Sequence, residues 1–340
     1  MNTPKNKSWQ QIVAQYQHPD IRRSLWQLVN TLIPYAVLWY LMIRSLEVSY
    51  WLVLGLSILT AGFLVRIFII FHDCSHGSFF RSKKVNNFWG YITGVLTFTP
   101  YAFWRHEHAI HHSHSSDLDH RGGGEVWTMT IEEYIQASRW TKIKYRLVRN
   151  PFCLFIIGPI ILFFIVHRLP KKKFGPQGCK SVHATNLGIL LMIAAMSFLI
   201  GLKAYLLIQL PVLMIAASAG VWLFYVQHQF EGVYWDRDEN WDYVAAALKG
   251  SSFYKLPKVL QWFTGSIGFH HIHHLSPRIP NYYLEKCYKE NPLFQQVQPI
   301  TLIKSLKSLK FRLWDEAHHQ LVGFDQLKKL IKSPPLSSST

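Results

Sequence analysis

The fold class read from this chain is an all-α integral membrane protein, with four transmembrane helices under a cytosolic helical cap. Three observations predict it. Only 16% of the 340 residues are charged, against about 25% in soluble domains, while 49% are hydrophobic and 15% aromatic. Four apolar runs have the roughly 20 residues that a bilayer core requires. Histidines recur at helical spacing where apolar runs end.

Nothing before the first apolar run resembles a secretory signal, because charged and polar residues from Lys5 to Arg23 interrupt any apolar core. The N-terminus is therefore expected to stay cytosolic and uncleaved. Spans are expected at 28–46, 51–71, 184–202 and 204–226, with the short connectors Arg44 to Tyr50 and Leu202 to Ala204 closing two hairpins. Two further apolar stretches, 88–104 and 152–167, are shorter and carry positive charge at both ends. Arg81, Lys83 and Lys84 precede the first and Arg105 follows it; Lys142, Lys144, Arg146 and Arg149 precede the second, and Arg168 with Lys171 to Lys173 follow it.

Positive charge marks the cytosolic side, so both flanks of each short stretch belong there, and the stretches read as interfacial or re-entrant helices. If 88–104 crossed the bilayer alone, the histidines on its two sides would face opposite compartments. Residues 299–314, PITLIKSLKSLKFRLW, place Leu302, Leu306, Leu309 and Leu313 on one helical face among Lys304, Lys307, Lys310 and Arg312. They read as a basic amphipathic helix, either on the membrane surface or packed on the cap. The chain reads as one domain over 1–332, with a disordered tail at 333–340 rich in Ser and Pro.

The net charge of +17 could suggest nucleic acid, but the aromatic residues lie in apolar spans and not in a basic groove, so no nucleic-acid partner is expected. Lys and Arg instead mark cytosolic loops and the anionic lipid surface. Cys74, Cys153, Cys179 and Cys287 form no C-x-x-C and read as free thiols.

The histidines form three clusters. His72 and His76 stand at i and i+4 in FHDCSHGSFF; His108, His111 and His112 stand at i, i+3 and i+4 in WRHEHAIHHSH; His270, His273 and His274 repeat that spacing in GFHHIHHL. Such positions share a helical face, so each cluster can turn toward one partner. A single zinc takes three or four ligands, and H-D-C-S-H lacks the Glu of a zinc-protease H-E-x-x-H, so the count fits two metal ions. Imidazole suits iron, copper, zinc and nickel alike.

The three boxes H-x-x-x-H, H-x-x-H-H and H-x-x-H-H, with RIFIIFHDCSHGSFF, WRHEHAIHHSHSSDLD, YVQHQFE and GFHHIHHLSPRIPNY around them, resemble the membrane fatty acid desaturase family, most closely the bacterial and plastid-type acyl-lipid desaturases. The resemblance covers most of 60–285. It implies two iron ions, O2, two electrons from outside, and removal of two hydrogens from an acyl chain in a membrane lipid. It also implies that His72, His76, His108, His111, His112, His270, His273 and His274 hold the metals, and that His228 in VQHQF is a ninth ligand.

Four residues are candidates for supporting those ligands. Asp73 either orients a ligand through its N–H or is solvated. Arg66, inside a span, either snorkels to the interface or pairs with Asp73 or another cytosolic carboxylate. His106 and His271, like His114, sit off the required spacing, although HHIHH could swap registers. His18, His120, His167, His183, His318 and His319 belong to no cluster and read as surface or interface residues, and HRGGGEVW at 120–127 reads as a flexible turn. His18-Pro19-Asp20 is not the H-P-G-G of a fused cytochrome b5 domain, so the electrons are expected from a separate ferredoxin-like or cytochrome-like donor. Related membrane di-iron enzymes with similar boxes hydroxylate or ketolate their substrates, which is the alternative reading. A metal transporter would instead place ligands at mid-membrane, and a membrane cytochrome needs only one axial histidine pair per haem.

Overall fold

The computed structural model describes residues 8–122 and 124–327. The expected tail at 333–340 lies outside them. Among the described residues, four helices are long and apolar enough to cross a membrane: Ile21–Ser45, Tyr50–His76, one ending at Ile200 that starts at Gly175, and Leu202–His228. The second and fourth contain the expected spans 51–71 and 204–226 and extend beyond them, while the first and third start earlier than expected and end at Ser45 and Ile200, just short of the expected 46 and 202. At 1.5 Å per residue the 27-residue second span is about 40 Å long, enough to cross the bilayer and project one end beyond it.

Local chemistry sets the ends of these helices. The Asp20 carboxylate accepts the N–H of Arg22 at 2.9 Å to cap the first span, and the Ser49 hydroxyl accepts that of Trp51 to cap the second. Gly77, at φ 69°, adopts the left-handed conformation that stops the second span directly after His76. The first two spans form one hairpin and the last two another, joined at 46–49 and at Gly201.

The second and fourth spans run in the same direction and end at His76 and His228. The segment between His76 and Gly175 therefore leaves and rejoins the bundle, and the chain after His228 sets out, at one end, opposite the two hairpin turns. The second span is the hub, packed against the first and fourth spans and against the helix Lys83–Leu96. The third span is mostly exposed, with Leu187, Leu190, Leu191 and Phe198 facing outward. An apolar face of that extent belongs in lipid.

The short apolar stretches are both broken. Residues 88–104 divide between the helix Lys83–Leu96 and the helix Tyr101–Ser113, with a reversal at Phe98 (φ 56°) and Pro100 between them. Residues 152–167 divide into Cys153–Ile157, Gly158–Phe164 and Val166–Arg168, and with Arg139–Val148 they bend by 68°, in the manner of a broken span or a re-entrant loop.

The expected amphipathic helix at 299–314 does not form. Pro299–Thr301 is a strand parallel to Phe253–Lys255, Leu302–Ser305 and Leu306–Lys310 are single helical turns, and Leu313–Asp315 is a strand between Met129–Thr130 and Gln320–Val322. Strand pairing and buried polar contacts override the helical periodicity. The Tyr225 hydroxyl donates to the Ser308 carbonyl at 2.9 Å, and Tyr254 Oη lies 3.1 Å from Ser305 Oγ. Leu302 and Leu306 stay exposed while Leu313 is buried, so the four leucines share no face.

Candidate metal centre and apolar cavity

The three boxes arrive on three elements. His72 and His76 occupy the last turn of the second span, His108, His111 and His112 the helix Tyr101–Ser113, and His270, His273 and His274 the short helix His270–Leu275; His228 closes the fourth span. These nine side chains converge in two groups. His72, His76, His108, His112 and His273 form one, and His111, His228, His270 and His274 the other; within each, one nitrogen per residue lies within 4.8 Å of all the others.

The Nε2 atoms meet closely. His112 lies 3.1 Å from His108 and 3.0 Å from His273 in the first group. In the second, His228 lies 3.2 Å from His111 and 3.0 Å from His270, and His270 lies 3.1 Å from His274. An imidazole Nε2 has one proton or one lone pair, so His270 Nε2 cannot satisfy two other nitrogens as a hydrogen-bonding partner alone. A set of neutral nitrogens aimed at a common point is the donor set a transition metal takes. Burial holds the imidazoles of boxes two and three well below their ordinary range, His111 at about 3, so their lone pairs are free at neutral pH. The residues present therefore fit two metal ions.

Behind the ligand face, Asp73 Oδ1 accepts the Nδ1–H of His72 at 3.1 Å, while its Oδ2 accepts the backbone N–H of Asn281 at 2.7 Å and its Nδ2–H at 2.8 Å. The other three supporting candidates face elsewhere. Arg66 donates from Nε to Thr31 Oγ1 at 3.1 Å and from Nη1 to the Trp262 carbonyl, and its guanidinium lies 3.9 Å over the Trp262 ring, so it neither pairs with Asp73 nor reaches the histidines. His106 is exposed against Phe174. His271 lies 3.1 Å, through Nε2, from the Phe294 carbonyl, pointing away from both groups, and burial lowers it to about 4.

His114 and His120 gather at the surface around Asp117, which lies 2.9 Å from His120 Nδ1. His167, expected as a surface or interface residue, is 2% exposed.

A cavity of about 250 Å³ runs down from the histidines. Leu64, Val65, Phe68 and Ile69 of the second span form one wall, and Leu213, Ala216, Ala217, Gly220 and Phe224 of the fourth form the other, with Leu162, Phe163 and His167 from the bent segment. Its upper end is bounded by His72 and His108 of the first group and His111 and His270 of the second. The cavity thus touches both groups at once. Trp104 stacks on His108 at 4.2 Å, and Phe224 packs on both His111 and His228.

Sequence reading missed Glu125, Asn281 and Trp104. Glu125 follows the glycines of the presumed flexible turn, and its Oε1 lies 3.6 Å from His111 Nδ1 with the side chain 9% exposed. Burial pushes its carboxyl up to about 8. A lone acidic residue closing a glycine run between two histidine boxes was the available signal.

An apolar cavity at membrane level that ends on two groups of neutral nitrogen donors fits a class of protein: a membrane enzyme acting on an apolar chain beside two metal ions. A model of the family "Fatty acid desaturase" matches residues 49–299. The chain is 52% identical over 334 residues to a fatty acid desaturase of Bacillus subtilis (strain 168), covering 98% of this chain and 95% of that protein. It is 27% identical to the sn-1 oleoyl-lipid 12-desaturase of Anabaena variabilis, over 72% of this chain and 70% of that protein. It is 25% identical to the sn-1 acyl-lipid omega-3 desaturase (ferredoxin) of a Synechocystis strain, over 65% and 62%. The chain belongs to the fatty acid desaturase family, and is a membrane oxidoreductase of lipid metabolism.

Proposed function

We propose that the protein introduces a cis double bond into an acyl chain esterified in a membrane lipid, with two iron ions, O2 and electrons from a separate carrier. The observation that carries this reading is an apolar cavity that meets both histidine groups. One iron would be held by His72, His76, His108, His112 and His273, the other by His111, His228, His270 and His274. When bound, iron supplies the O2 reduction and oxidising power that an unactivated C–H bond demands, which redox-inert zinc does not.

The balance is R–CH2–CH2–R′ + O2 + 2 e⁻ + 2 H⁺ → R–CH=CH–R′ + 2 H2O. The cavity walls exclude water and align a linear chain, while Asp73 fixes the His72 ring through its Nδ1–H. Gln227 lines the same cavity and donates to the Ile267 carbonyl at 2.9 Å, tying the loop before box three to the end of the fourth span. The lipid-linked substrates named for the two cyanobacterial relatives support an esterified acyl chain here.

The histidine end of the bundle faces the cytosol in this reading, because the positive flanks around 81–84, 142–149 and 168–173 all lie there. A groove lined by Lys83, Arg105 and Lys180 beside the box-two helix suits an acidic electron donor. The name of the Synechocystis relative specifies ferredoxin, which fits such a donor.

Expression in a host lacking polyunsaturated lipids, followed by mass spectrometry of derivatised fatty acids, tests the reaction. The expected product is two mass units lighter than its precursor and depends on O2 and a reduced carrier. A product heavier by one oxygen, labelled from heavy O2, would assign hydroxylation instead.

A further inference from the structure

We propose that Glu125 is a positioning residue of the four-histidine group: an oxygen of its carboxyl group accepts the Nδ1–H of His111 and so turns the Nε2 lone pair of that ring toward the metal. The inference deepens the metal-centre reading above and rests on it.

Two complementary buried atoms carry it. His111 Nδ1 has no hydrogen-bond partner, and neither does Glu125 Oε2, yet the ring nitrogen and Glu125 Oε1 face each other at 3.6 Å, just beyond hydrogen-bond length. Each of these unpaired buried atoms costs free energy, and a bond between this ring and this carboxyl reduces that cost. The nearby Arg121 does not pair directly with Glu125, since its guanidinium is committed to Glu133 and to the carbonyls of Leu118 and Thr128.

The same Arg121 contacts tie together the chain before and after the glycines. Arg121 donates to the carbonyls of Leu118 and Thr128, while Gly122 (φ 112°) and Gly124 (φ 80°) have positive φ values that other residues rarely adopt. A Cβ at Gly124 would stand 3.8 Å from His111 Cβ, so the turn lies directly against the box-two helix at that residue. Glu125 stands on the Nδ1 edge of the ring, whereas Nε2 faces His228 at 3.2 Å. It therefore acts through His111 and is not itself a ligand.

The test compares purified wild type, Glu125→Ala and the isosteric Glu125→Gln for iron per chain, for the chelator concentration that removes half of each iron, and for helical content. Loss of such an outer partner costs about 10–100-fold in metal affinity. The expected result is two irons in wild type and, in Glu125→Ala, one iron removed at about 10–100-fold lower chelator while the other keeps its wild-type resistance. Glu125→Gln, whose carbonyl oxygen still accepts from Nδ1–H, should fall between them. Wild-type resistance of both irons in Glu125→Ala would overturn the proposal, as would equal loss of both irons from Glu125→Gln at unchanged helical content. Absence of iron from the wild type would instead refute the di-iron reading.

Discussion

The five-histidine and four-histidine groups are built from the same boxes by opposite choices. In box two the i and i+4 residues, His108 and His112, join the first group, while the i+3 residue His111 joins the second. Box three mirrors this: His270 and His274 join the second group, and His273 joins the first. Positions i and i+4 are about 40° apart around a helix and i+3 lies on the other side of i, so one H-x-x-H-H segment points in two directions. The two box helices interlock, each giving two nitrogens to one group and one to the other. The first group adds both histidines of the second span and the second adds only His228, which leaves the second without a spare donor.

That asymmetry predicts the largest effect. His270→Ala removes the imidazole whose Nε2 touches both His228 and His274, and should reduce iron from about two to about one per chain and abolish product. His76→Ala also removes a proposed ligand, but from the group with five donors, and should retain more iron at equal chelator. Metal analysis of the two variants side by side checks this, and equal iron loss would erase the distinction between the groups. A smaller effect is expected behind the first group. Asp73→Ala leaves the Nδ1–H of His72 and the Asn281 amide without their acceptor, and should weaken one iron about 10–100-fold in chelator titration. If that iron belongs to the same class as the one weakened in Glu125→Ala, the two carboxylates do not serve separate groups.

The spans were legible because membrane solvent imposes a length and an apolar composition that few other constraints produce. The convergence of nine histidines was legible in part, since helical spacing shows that each box can face a partner but not how two boxes share their residues. The strands at 299–301 and 313–315 were not legible. Their leucine spacing mimics a helix, and what decides the structure is pairing with Phe253–Lys255 and Gln320–Val322, both distant in sequence or joined by a short turn. Glu125 was hidden for a related reason, because its approach to His111 depends on how the chain around it packs, including the Arg121 contacts to Leu118 and Thr128, which no residue spacing reports.

Arg66 marks the limit of the comparison and gives the smallest expected effect. It lies seven residues before Asp73 on the same helix, and its sequence position allowed a pair between them. Its guanidinium is instead held by Thr31 and the Trp262 carbonyl and stacks on the Trp262 ring, joining the first span, the second and the helix Lys258–Phe263. Lysine keeps the charge but loses the planar fork and the stacking, which are worth up to about 2 kcal/mol when desolvated. Arg66→Lys should therefore lower the Tm in detergent by about 2–4 °C, while iron per chain and chelator resistance stay at wild-type values. Asp73 would then serve the metal centre independently of Arg66. A selective loss of the iron that Asp73→Ala weakens would show that the two residues are coupled after all, and that the five-histidine group is supported from within the membrane as well as from the cap.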